Sequence, residues 1–134
     1  MTGASNVLGE ASPHNSGSYR YDLFAPGGER RSASVGISTP FGVWQYGADA
    51  NADDILCCVG SQAYCFLTLG SAAAPHTAAA AAIAKSYLPD ASPEVVRRLL
   101  VKSTQPFTTP NLTVSQAAGG VLSLKKLKTN LLVV

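Results

Sequence analysis

The run from Leu69 to Ala84 constrains the fold of this chain more than any other stretch. It reads Leu69-Gly70-Ser71-Ala72-Ala73-Ala74-Pro75-His76 and continues through the alanines from Ala78 to Ala82. Between Phe66 and Lys85 only Thr68, Ser71, His76 and Thr77 carry hydrogen-bonding side chains. A helix that is small and apolar all round is expected inside a domain rather than on its surface. Ser71 stands at its N-terminus, where the first N–H groups lack intrahelical partners and the helix dipole favours a developing anion. Two readings follow from that position. Ser71 is either an N-cap, a common structural use of serine, or a nucleophile whose own backbone N–H supplies half of an oxyanion hole.

Composition bounds the rest. The 134 residues are 46% hydrophobic and 13% charged, the size of one small domain. Such a chain buries roughly two-thirds of its surface on folding, enough for a single core. Its low charge content suits part of a larger domain. The net charge of +2 is too small to argue for nucleic acid. Arg97, Arg98, Lys102, Lys125, Lys126 and Lys128 fall on the polar sides of two predicted helices, so a solvated surface is expected there. Residues 1–30 hold no apolar run of the signal-peptide kind. Residues 66–84 match a membrane span in length, but alanine, a histidine and a proline make them a weak insertion signal, and no membrane partner is expected.

In chain order, Thr2 to Asn6 reads as a short strand and Gly9 to Gly17 as a loop. Tyr19 to Phe24 alternates as a strand, and Ala25-Pro26-Gly27-Gly28 turns the chain. Residues 29–54 have no strong period beyond a plausible strand from Ser32 to Ser38. Trp44 and Tyr46 are expected to be satellite packing. Asp49, Asp53 and Asp54 lack the ligand spacing of an EF-hand and read as solvated loop acids. Ile55 to Val59 and Ala63 to Leu67 suggest a hairpin about Gly60-Ser61-Gln62, which sets Cys58 opposite Cys65. Buried thiols and one disulfide both remain open for Cys57, Cys58 and Cys65, whereas zinc calls for four ligands at paired spacing. Pro89 ends the first helix; Ser92 caps and Pro93 starts the next, with Val95, Val96, Leu99 and Leu100 on one face. Leu124, Leu127 and Leu131 supply the apolar stripe of a last helix. Asn111-Leu112-Thr113 is a glycosylation sequon, a triplet that chance often produces.

Several of these texts, in this order, resemble one family. Ser71 to His76 reads S-A-A-A-P-H and resembles the nucleophile motif of subtilisin-like serine proteases (subtilases), G-T-S-M/A-A/S-A/T/S-P-H. Tyr21 to Gly27 is similar to V-D-V-x-A-P-G, with Thr2-Gly3-Ala4-Ser5 like the V-G-A strand and Ser16-Gly17-Ser18-Tyr19 like the N-x-G loop upstream of it. Pro89 to Leu99 follows P-x-L/A-S/T-P-x-x-V-R/K-x-x-L, Ser103-Thr104 stands where the family has S-T-A, and Gly119 to Leu124 resembles G-x-G-x-V/L-N/D-A/V. The resemblance spans almost the whole chain and implies an α/β fold, a parallel sheet flanked by helices, present as the C-terminal part of a catalytic domain. Within it, 29–66 would be a variable loop and hairpin, 71–88 the nucleophile helix, 93–104 a surface helix and 121–134 the terminal strand and helix.

The same resemblance implies a function. Ser71 would be the nucleophile of a serine endopeptidase, with Leu69 and Gly70 lining the substrate where the family has Gly-Thr. Peptides or proteins would be substrates, in a secreted or extracellular setting. The family's aspartate (D-T/S-G), histidine (H-G-T-H) and oxyanion asparagine belong to upstream sequence, so the missing N-terminal part of the same domain is an implied partner. Neither His14 nor His76 substitutes for that base, and without it a rate loss on the order of 10⁴ is expected. No cofactor is identified. Calcium enters only by resemblance, through the acid at Asp22, which reads more simply as an exposed strand acid. The alternative is a catalytically inactive subtilase-like module with a binding or structural role, motivated by Leu69-Gly70 and the hairpin cysteines. An α/β-hydrolase is excluded, because Leu69 to Ala73 lacks the G-x-S-x-G elbow.

Overall fold

A computed structural model of the chain describes residues 1–6, 8–12, 15, 20–27, 43–47, 63–67, 70–108 and 119–133, with the backbone alone at 43–47, 63–67 and Ser71. The elements are β1 (Thr2–Ser5), β2 (Leu23–Pro26), β3 (Val43–Gly47), β4 (Ala63–Leu67), α1 (Gly70–Tyr87), α2 (Pro93–Lys102), β5 (Thr104–Gln105), β6 (Val121–Leu122) and α3 (Leu124–Leu131). One sheet runs in the order β1-β2-β6-β5, with β1 and β6 parallel to β2 and β5 antiparallel to β6. The fold is therefore α/β as expected. The expected all-parallel sheet gains one antiparallel strand: the helix predicted to reach 104 stops at Lys102, and Thr104–Gln105 pairs with β6 instead.

Local chemistry explains where α2 begins and ends. Ser92 Oγ accepts the Val95 N–H, Pro93 occupies the first turn, and Glu94 sits by the positive end of the helix. At the other end Ser103 is fully buried and donates its hydroxyl to the Leu99 carbonyl at 2.7 Å. Its carbonyl accepts Ser123 N–H, and its Oγ accepts from Asn130 of α3, so one serine ties α2, β6 and α3 together. The faces of both helices are narrower than their sequences suggest. Val96 and Leu100 are buried while Val95 is 48% exposed, and Leu127 and Leu131 are buried while Leu124 is 57% exposed. The sheet and α1 together cover only part of each apolar stripe.

The main core joins Leu23 of β2 to Ala80, Ala84, Val96, Leu100, Leu127 and Leu131. A second cluster holds Tyr21, Phe24 and Ala11, with Phe107 edge-on to Phe24 at 5.0 Å between ring centres. Gly3 is required beside Phe24, since a Cβ there would lie 2.3 Å from the ring.

Three expectations change at the strands. The strand read at Tyr19 to Phe24 lies two to four residues later, and Ala25 and Pro26, expected in the turn, complete it. Ala63–Leu67 pairs antiparallel with Val43–Gly47, in the register Gln45↔Cys65. A strand thus occupies part of the 29–54 region that had shown no period. Asp22 is not a free strand acid: it pairs with Arg97 of α2 at 2.5 Å and with the amino terminus of Met1. That terminus and the Arg97 guanidinium hold its carboxyl below the usual carboxylate range, against the effect of burial. The strands read at 32–38 and 55–59, Cys57, Cys58, Asp49, Asp53, Asp54, His14 and the sequon at Asn111 lie outside the described residues.

Candidate active site

Helix α1 runs antiparallel to the strands it covers. Near its start, Ala73 packs on Ala4 of β1 and Ala25 of β2. Towards its end, Ala80 and Ala84 pack in the cluster of Leu23, at the beginning of β2. The first turn, Gly70-Ser71, therefore lies by the carboxyl ends of the parallel strands, the place where open α/β sheets bind ligands. Alanine at all three contacts lets helix and sheet approach closely there. Ala4, Ala25, Ala72 and Ala73 are each no more than 1% exposed.

The helix is not buried all round, as its composition predicted. Ala74, Pro75, Ala78, Ala79 and Ala82 face outward, and Ile83 is 42% exposed. The sheet covers one side only. Pro75 lies inside α1 and has no N–H to return to the Ser71 carbonyl, so the first turn is held less tightly than the body. Gly70 is exposed, and among the described residues nothing lies within 4 Å of the place a side chain would take. Leu69, expected to line the substrate beside Gly70, lies outside the described residues.

His76 is occupied within the helix. Its Nδ1 lies 2.7 Å from the Ala72 carbonyl oxygen, an acceptor only, so this nitrogen carries the proton and donates it. The bond ties the ring to its own helix through Nδ1.

Sequence reading missed one residue beside this end of the sheet. Asn15 Oδ1 accepts the Ala4 N–H at 2.9 Å and its Nδ2 donates to the Ala4 carbonyl at 2.7 Å. The side-chain amide copies a neighbouring strand at the outer edge of β1, where Ser12 N–H also donates to the Ala4 carbonyl and Ala11 bridges to Ser5. A second Nδ2 bond reaches Ser12 O at 2.8 Å, which pins the loop to that edge. The only signal in the sequence was an asparagine in a Ser/Gly-rich loop, which specifies no partner. Asn6 is nearly buried beside it, and its Oδ1 accepts both Leu8 and Glu10 N–H. Gly9 makes the turn at φ +74.

A cavity of about 500 Å³ lies at the opposite end of the sheet, among Thr2, Leu23, Thr77, Ala81, Val96 and Leu100. The Thr77 hydroxyl faces it as a buried oxygen with no partner among the described residues. It stands by the amino ends of β1 and β2, whereas Ser71 lies by their carboxyl ends. Among the described residues no three His, Cys, Asp or Glu side chains gather as metal ligands, and no helix is long and apolar enough to cross a membrane.

A family model described as the subtilase family matches residues 3–124. The chain belongs to the subtilase family. This subtilase chain is also similar in fold to a solved structure of proteases from Pseudoalteromonas arctica PAMC 21717, with a TM-score of 0.72 and 21% identity. That likeness covers 97% of this chain but 35% of the other, so the chain spans about a third of that relative's length. No curated protein matches the sequence. The family match reaches from β1 through β6 to the first residue of α3 and so includes Gly70, Ser71 and the whole of α1.

Proposed function

We propose that this chain is the C-terminal portion of a subtilisin-like serine endopeptidase catalytic domain and carries its nucleophile, Ser71. Membership of the subtilase family supports a peptidase-type activity on peptide or protein substrates. The observation that carries the residue assignment is the placement of Gly70-Ser71 in the first turn of α1, by the carboxyl ends of β1 and β2.

In this reading Ser71 Oγ attacks the scissile carbonyl carbon and an acyl-enzyme forms. The Ser71 backbone N–H, free of an intrahelical acceptor in the first turn, donates to the oxyanion, and the helix dipole stabilises the charge. The hydroxyl proton goes to a histidine oriented by an aspartate, and the histidine passes that proton to the leaving amine as the C–N bond breaks, which frees it to act again. Both come from the upstream part of the domain. Water then hydrolyses the ester through the same base. His76, whose Nδ1 is held by the Ala72 carbonyl within the same helix, is given no part in this reading.

A fluorophosphonate reporter tests this directly. The 134-residue chain alone is expected to label negligibly, since nothing removes the Ser71 proton. Adding the upstream part of the domain should restore labelling, and Ser71→Ala should abolish it. Labelling that persists in Ser71→Ala, or none in the complete domain, would overturn the assignment. The second outcome is also what the inactive-module reading requires. Leu69-Gly70 in place of Gly-Thr is the feature that favours that reading.

A further inference from the structure

Away from Ser71, helices α1 and α3 leave an apolar groove between them. It encloses about 200 Å³ and is lined by Ile83 and Tyr87 of α1 and by Leu124, Leu127, Lys128, Leu131 and Leu132 at α3. Its walls are largely open to solvent: Tyr87 is 61% exposed, Leu124 57% and Leu132 71%, and Val133 beyond them is 79% exposed. Large apolar side chains gathered in this way mark an interaction surface, whereas single exposed ones do not.

Charge says what kind of partner fits. Lys128 lines the groove and Lys125 stands one turn before it on α3. Neither is in an ion pair among the described residues, where Asp22 goes to Arg97 and Glu94 to Arg97 and Arg98. The sequence contains no acid after Glu94. Of the α3 lysines, Lys126 is bonded to the Thr104 carbonyl, while Lys128 stands in the groove wall. A second copy would bring lysines against lysines across this face, which disfavours self-association.

We propose that this groove docks an amphipathic helix that is apolar on one face and acidic along its flank. Apolar residues spaced one turn apart enter between Tyr87, Leu124 and Leu132, and carboxylates pair with Lys125 and Lys128. This is the helix-in-groove mode of recognition, with the lysines setting orientation and partner choice more than raw affinity. It uses no atom of the Ser71 site and stands apart from the proposed protease activity.

The test uses the whole 134-residue chain and two fluorescent synthetic helices of about 14 residues, alike except that one is flanked by Glu and the other by Lys. Fluorescence anisotropy should show saturable binding of the Glu peptide, at least about 10-fold tighter than its Lys twin in low salt, with the gap closing as salt is raised. Leu132→Ser should weaken both interactions, and Lys125→Glu with Lys128→Glu should reverse the preference. Both sets of changes fall on exposed positions, and unchanged circular dichroism checks that the fold is kept. Equal affinity for the twins, no binding, or an unaltered preference after charge reversal would overturn the proposal. Binding to anionic vesicles in place of the Glu peptide, or dimerisation through this face by sedimentation, would overturn it in favour of a lipid surface or a second copy. Fluorophosphonate labelling at Ser71 is blind to every one of these outcomes, so the two readings fail separately.

Discussion

The two ends of α1 are built to different rules. Towards Tyr87 the helix rests on branched and bulky side chains: Leu23, Val96, Leu100, Leu127 and Leu131 close around Ala80 and Ala84. Towards Gly70 it rests on alanines alone, with Ala73 against Ala4 and Ala25. Bulky contacts supply the buried area that stabilises the fold. Small contacts supply closeness, bringing the first turn against the strand ends. Stability and positioning are thereby separated along a single helix.

That contrast predicts different responses to substitution. Leu127 is 1% exposed at the bulky end, so Leu127→Ala should have the largest effect, about 2–5 kcal/mol of stability lost in urea unfolding. A loss below 1 kcal/mol would show that this end is not the anchor. At the other end the damage comes from adding volume. Ala73→Leu should cost about 1–3 kcal/mol by overpacking. It should also abolish Ser71 labelling in the complete domain, whereas a stability loss with labelling intact would break the link between close packing and the site.

Ser92→Ala removes the cap of α2 and should cost about 1 kcal/mol, leaving labelling of the complete domain unchanged. The smallest effect concerns Asp22, which ties the start of β2 to α2. Its carboxyl is held below the value of 3.8 it has when unpaired, so the unfolded chain binds the proton more readily. The stability it adds is complete above about pH 4 and is lost as pH falls through the lower folded value. Asp22→Asn should flatten that acid limb of the urea midpoint. An unchanged limb would show that solvent screening leaves the pair without weight.

Legibility in the sequence followed the range of the interaction. The start of α2 was readable because Ser92, Pro93 and Glu94 act within one turn. The position of α1 was readable because proline, glycine and an alanine run specify a helix locally. The family texts placed Ser71 before any coordinates did. Burial was read less well. Alanine carries no sign of which side faces the sheet, so α1 was expected to be enclosed and instead exposes Ala74, Ala78, Ala79 and Ala82. Val95 and Leu124 continue an apolar stripe in the sequence, yet the neighbouring elements end before they cover either one.

By itself the sequence determined the helices, the cap of α2, the family and the candidate nucleophile, because each depends on neighbours within a turn or on a short fixed text. Tertiary structure alone decided the partner of β4, the antiparallel β5, the capture of Asp22 by Arg97 and the plugging of the β1 edge by Asn15. Those contacts join residues far apart in the chain, and many partners would satisfy the same donor, acceptor or charge. Geometry chooses among them only once the sheet has brought them together.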